Sequence, residues 1–108
     1  MDRFQVMQVF VRVVETGSFS KAALELGTTQ PTATKAVAEA ERHLGARLLH
    51  RSTRGVTPTE AGALYYERCK LILREVEDAE NLTGLVQAGA TGTLRINSSV
   101  AFGRRVLI

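Results

Sequence analysis

The sequence contains a single cysteine, Cys69, so no internal disulfide can form and a reducing cytoplasm is the expected compartment. It has two histidines, His43 and His50, well separated from Cys69 along the chain. Three such scattered residues make no metal-ligand cluster, and all are read as structural. No stretch approaches ~20 consecutive apolar residues, so no transmembrane helix is expected. The N-terminus lacks the basic region and apolar core of a secretion signal. Also missing are carboxylates paired for acid–base work and a phosphate-binding glycine loop. An enzyme would have nothing to work with, and no catalytic residue, cofactor or metal is expected.

What is present suits one small domain with a modest core and an appended helix. The chain has 108 residues, 44% of them hydrophobic, an ordinary share for a globular protein. The net charge of +3 is unevenly spread. Arg42, Arg47, Arg51 and Arg54 follow one another with no acidic residue among them. From Thr59 to Gly89 the balance reverses, with Glu60, Glu67, Glu75, Glu77, Asp78 and Glu80 outnumbering Arg68, Lys70 and Arg74. A basic patch beside an acidic helix is a footprint for phosphate, although a basic run alone is more often a solvated surface.

Periodicity organises the rest. From Asp2 to Glu15 the residues Phe4, Met7, Phe10, Val11 and Val14 recur at helical spacing, and Val6, Val9 and Val13 widen the stripe. Gly17 ends this first helix, and Ser18 can cap a second, from Phe19 to Leu26, that carries Ala22, Ala23 and Leu26 inward. Gly27 closes it. After Thr28, Thr29 can cap a third helix with Pro31 in its first turn, running to His43 or Leu44 with Ala33, Val37, Ala40 and Leu44 on its inner face. Two helices joined by so tight a glycine turn predict a helix-turn-helix, and the outward residues Gln30, Thr32, Thr34 and Lys35 are of the kind that reads base edges. An ordinary three-helix core with a polar outer face is the plainer alternative.

Apolar runs at Leu48-Leu49 and Val56 flank the loop Ser52-Thr53-Arg54-Gly55 and predict a small hairpin, a wing carrying Arg51 and Arg54. An arginine at a wing tip can enter a minor groove or hold a phosphate. Thr57-Pro58-Thr59-Glu60 reads as a capping box with proline at the first helical position. No proline or clear stop follows until Gly89, which gives a fourth helix of about thirty residues, on the order of 45 Å. Tyr65, Ile72, Ala79 and Val86 are each seven apart, as in a coiled coil. Arg68 and Glu75 interrupt a strict heptad, and Gly84 weakens the last turns. A stripe that a small head cannot bury is expected to pair with a second copy through Tyr65, Ile72, Val76, Ala79 and Leu82. Residues 89–93 read as a hinge. Thr93-Leu94-Arg95-Ile96-Asn97-Ser98 alternates like a strand and the chain ends apolar, so 94–108 are expected to open a second domain that continues beyond this chain.

These stretches together resemble the LysR-type transcriptional regulators. Val13-Val14-Glu15-Thr16-Gly17-Ser18-Phe19-Ser20-Lys21-Ala22-Ala23 is similar to the family's opening. So are Thr29-Gln30-Pro31, then Leu44-Gly45-Ala46-Arg47-Leu48-Leu49-His50-Arg51, then Thr57-Pro58-Thr59-Glu60-Ala61-Gly62. The resemblance covers the whole chain, and Leu94-Arg95-Ile96 looks like the first strand of the family's effector domain. It implies a mainly α fold: a winged helix-turn-helix over 1–57, a long dimerising linker helix over 58–88, a hinge over 89–93 and the start of an effector domain over 94–108. It implies a cytoplasmic regulator that binds double-stranded promoter DNA as a homodimer or tetramer, takes a small-molecule effector only through the missing domain, and uses no membrane. Carried over, Gln30, Pro31, Thr34 and Lys35 supply base contacts and Arg54 the wing contact. With their neighbours, the candidate DNA-binding set is Gln30, Pro31, Thr32, Thr34, Lys35, Arg51, Thr53 and Arg54. Two departures from the family pattern stand out. Thr34-Lys35 stands where Ser-Arg is usual, which removes a bidentate fork, and Ala40 stands where a bulky Leu is usual. Two rivals share the winged-helix reading: a different winged-helix family, and a protein-interaction winged helix whose basic patch meets an acidic partner.

Overall fold

A computed structural model describes residues 1–87. The elements are α1 (Arg3–Thr16), α2 (Phe19–Leu26), α3 (Gln30–Leu44), β1 (Leu49–Ser52), β2 (Gly55–Pro58) and α4 (Glu60–Gln87). The hinge and strand expected over 89–108 lie outside the described residues. Two compact units divide the chain, Met1–Leu73 and the segment from Arg74.

Each short helix is fixed at its start by a side chain. Asp2 accepts from the Gln5 amide at 2.7 Å while the Gln5 side chain accepts from the Asp2 amide at 3.2 Å, a reciprocal capping box. Ser18 accepts from the Lys21 amide at 3.1 Å and Thr29 from the Thr32 amide at 3.3 Å. Between α2 and α3, Gly27 sits at φ 70°, a left-handed conformation that lets the chain reverse within three residues.

The core is built largely from small residues. Ala22 and Ala23 of α2 and Ala33, Ala36 and Ala40 of α3 are buried, with Val37 and with Val6, Val9, Phe10 and Val13 of α1. On α1 the buried face combines Phe10 and Val11 of the expected stripe with Val6, Val9 and Val13, which were expected to widen it. Phe4 is exposed and Met7 and Val14 half-buried, because both stripes obey helical spacing and only packing selects between them. Two inward assignments are wrong: Leu26 and Leu44 are 38% and 45% exposed. Each is the last residue of its helix, beyond the crossing that the alanines form, and Phe19, Leu48 and Leu49 fill the core instead.

The hairpin forms as expected, antiparallel, with Leu49 opposite Pro58, His50 opposite Thr57, Arg51 opposite Val56 and Ser52 opposite Gly55. The expected cap of α4 does not. Thr57 and Pro58 belong to β2, and Thr59 is the cap: its hydroxyl accepts from the Gly62 amide at 2.9 Å and its carbonyl from the Ala63 amide at 2.8 Å. Pro58 lacks an N–H, which suits the end of a two-stranded edge as well as a first helical turn, and strand pairing takes it.

Within the first unit, α4 continues the core past the hairpin. Gly62 and Cys69 are buried, and the Tyr65 ring lies 5.2 Å from that of Phe10. Burial pushes the Tyr65 phenol up to about 12 and raises the Cys69 thiol. The Tyr66 hydroxyl donates to Glu15 at 2.7 Å, and that bond above all holds its phenol neutral up to about 12. Further along α4, Ile72, Ala79, Leu82, Leu85 and Val86 are exposed, and Val76 is half-buried.

Candidate nucleic-acid interface

The wing is held against the α1–α2 turn by the backbone. The Val56 amide donates to the Gly17 carbonyl at 3.2 Å. Gly55, at φ 127°, approaches so closely that a Cβ there would lie 2.7 Å from the same oxygen. Only glycine allows both that conformation and that distance. At the tip, the Arg54 amide donates to the Ser52 hydroxyl at 3.2 Å, which closes the turn and leaves the Arg54 side chain exposed.

This attachment creates a cleft of about 510 Å³ between the start of α3, the start of α2 and the wing. Five of the expected residues line it: Gln30 and Thr34 from α3, and Arg51, Thr53 and Arg54 from the wing. Pro31, Thr32 and Lys35 do not. Pro31 and Lys35 are exposed beside it on α3, and the Thr32 hydroxyl accepts from that of Thr29 at 2.9 Å within the helix cap. Thr29, not Gln30, caps α3, and the exposed Gln30 amide makes no hydrogen bond among the described residues. The lining residues that were not foreseen include Ser20 and Lys21 at the start of α2. Both stand inside the stretch similar to the family opening, the one signal in the sequence that could have pointed to them.

The electrostatics favour an anion. Lys21, Arg51 and Arg54 line the cleft, no acidic residue does, and none of the three makes an ion pair among the described residues. The basic run therefore splits. Arg47 lies 3.7 Å from Glu41, whose carboxylate also accepts from the Leu48 amide at 2.8 Å, while Arg51 and Arg54 face the cleft. A second hollow, of about 580 Å³, lies between α1, the end of α3 and Tyr65. It mixes Arg3 and Arg42 with Glu39 and apolar walls and holds none of the expected DNA-binding residues. Among the described residues no group of three His, Cys, Asp or Glu could hold a metal, and no helix is long and apolar enough to cross a membrane.

Comparison with known proteins gives the arrangement its context. Residues 4–63 match the model of the bacterial regulatory helix-turn-helix proteins of the lysR family. An HTH-type transcriptional regulator of Xanthomonas campestris pv. campestris (strain 8004) is 50% identical over 95 residues, covering 88% of this chain and 28% of the relative. The HTH-type transcriptional activator AaeR of Escherichia coli (strain K12) is 39% identical over 107 residues, 99% of this chain and 35% of the relative. The chain thus spans about a third of the length of these relatives. Among solved structures, the DNA-binding domain of BenM in complex with catB site 1 DNA matches with a TM-score of 0.76 at 32% identity, covering 83% of this chain and 96% of that one. Full-length CbnR complexed with its target DNA matches with a TM-score of 0.71 at 32% identity, covering 79% and 29%.

Proposed function

This chain belongs to the LysR family of bacterial helix-turn-helix regulators, and from that we propose that it binds duplex promoter DNA sequence-specifically, as a homodimer. The start of α3 enters the major groove, where Gln30 and Thr34 meet base edges and Pro31, Thr32 and Lys35 flank them. The wing lies at the adjacent minor groove with Arg54 at its tip, Thr53 beside it and Arg51 behind. The second copy pairs along α4 through Ile72, Val76, Ala79 and Leu82. The protein is a cytoplasmic regulator rather than an enzyme. One observation carries the reading: three cations without ion pairs and an unengaged Gln30 amide share a cleft that contains no acidic residue.

Selection from a random duplex pool, followed by a salt series on the selected site, tests it. A recovered consensus is expected, with affinity falling steeply as salt rises. Arg54→Ala weakens binding to all duplexes and makes the salt slope shallower by about one. No consensus, or binding indifferent to salt, overturns the reading in favour of a protein partner.

A further inference from the structure

Arg51 differs from the other cleft cations in how it is held. On β1 it lies two residues from Leu49, which is 1% exposed, and opposite Val56, which is 9% exposed. Strand alternation therefore puts the Arg51 stem on the inner face of the hairpin, while His50 and Ser52 take the outer face. Its guanidinium carbon sits 4.7 Å above the centre of the Phe19 ring. Phe19 is itself 9% exposed and is the first residue of α2, fixed by the Ser18 cap behind it. Both residues line the cleft that holds Gln30.

We propose that Phe19 is a positioning residue for DNA binding: its ring fixes the Arg51 guanidinium at the cleft wall, aimed at a backbone phosphate, before DNA arrives. This rests on the DNA-binding reading above. The Arg51 guanidinium, held over the ring, makes no hydrogen bond or ion pair among the described residues, so its N–H donors stay free for a contact with an anion. No carboxylate competes for them among the described residues. A free arginine loses rotamer freedom when it clamps a phosphate, whereas one already stacked has lost much of it in the unbound protein. Arg51 is accordingly a wall residue that sets register on the backbone, and the minor groove is left to Arg54 at the tip.

The test is a double-mutant cycle in the 108-residue chain on one selected duplex, read by fluorescence anisotropy across a salt series. Phe19→Leu is expected to weaken binding roughly two- to tenfold, the range of a partly exposed cation–π contact. Arg51→Ala weakens it further and lowers the salt slope by about one. With Arg51 already Ala, Phe19→Leu has no further effect on affinity, and Phe19→Tyr, which keeps the ring face, binds like wild type. Equal losses from Phe19→Leu in both backgrounds would mean core damage only and overturn the positioning role. The Arg51 Nε–H resonance, read without DNA, covers the case in which Phe19→Leu does not fold. A ring-current shift is expected in the wild type, and its absence overturns the proposal. A wild-type chain that binds no duplex overturns the DNA-binding reading and this role with it; additive losses on a wild type that does bind overturn this role alone.

Discussion

Gln30 and Lys35 both open α3, yet only Gln30 lines the cleft, and their chemistry separates them further. The Gln30 amide offers a donor and an acceptor together, which matches N6 and N7 of adenine, whereas the Lys35 ammonium is a point charge suited to a phosphate. Gln30→Ala is expected to lose about 1–3 kcal/mol on the preferred site and little on random duplex, flattening preference at one base position. Lys35→Ala weakens both alike. Thr29→Ala supplies the contrast, because it removes the α3 cap and lowers stability by about 1 kcal/mol without relaxing base preference. Binding to single-base variants of the selected site, alongside melting temperatures, distinguishes the three, and an unchanged preference profile in Gln30→Ala refutes its role as the reading residue. The placement of Gln30 and Arg54 was legible in the sequence, because a glycine turn puts one at a helix start and a hairpin loop puts the other at a tip. Ser20 and Lys21 were not. They reach the cleft only because the Val56 amide bonds to the Gly17 carbonyl, a contact between residues 39 apart that no local pattern announces.

Among the elements, the junction of hairpin and α4 leaves no room for a side chain at Gly62. The Thr59 amide donates to the Leu48 carbonyl at 3.0 Å and its hydroxyl to the Arg47 carbonyl at 2.7 Å, so the first turn of α4 lies on the chain entering β1. Gly62, one turn on, is buried there, and a Cβ would fall 1.9 Å from the Leu48 carbonyl oxygen. Backbone on both sides must shift to admit a methyl group. Gly62→Ala is therefore expected to destabilise the head by about 1–3 kcal/mol, a penalty typical of overpacking, although alanine is the better helix former. For a head of this size that is roughly 4–8 °C of melting temperature per kcal/mol, readable by circular dichroism. An unchanged or raised melting temperature would show that the junction relaxes freely. The helix itself was plain in the sequence, but its double use was not. A heptad repeat marks a face without saying what covers it, and the head takes Tyr65 against Phe10 while Leu64 and Leu71 stay 69% and 48% exposed.

At the scale of the whole molecule, those exposed leucines bear on how two copies meet. By helical spacing, Leu64, Leu71, Ile72, Ala79 and Leu82 form one stripe on α4, interrupted by the exposed Arg68 and Glu75. Two parallel copies in register would set Arg68 against Arg68 and Glu75 against Glu75. Two antiparallel copies centred between Leu71 and Ile72 would instead set each Arg68 against the other copy's Glu75, with Leu64 against Ala79 and Leu71 against Ile72. Opposite charges at the edge of such a seam contribute about 0.2–1 kcal/mol each, and like charges cost as much, so for the proposed homodimer the antiparallel pair is the expected one. Ile72→Glu, which buries an unpaired charge at the centre, is expected to give monomers. Glu75→Arg loosens the dimer, and adding Arg68→Glu to it restores the dimer, because the reversed pair meets only in the antiparallel arrangement. Sedimentation at micromolar concentration reads all three. On the proposed DNA-binding reading each head brings its own phosphate contacts, so the Ile72→Glu monomer should also bind a single half-site with about half the salt slope of the dimer on the full site. A wild-type chain that sediments wholly as a monomer sinks the assembly. A double charge reversal that fails to restore the dimer sinks only the orientation, leaving the apolar stripe to hold the copies in some other register.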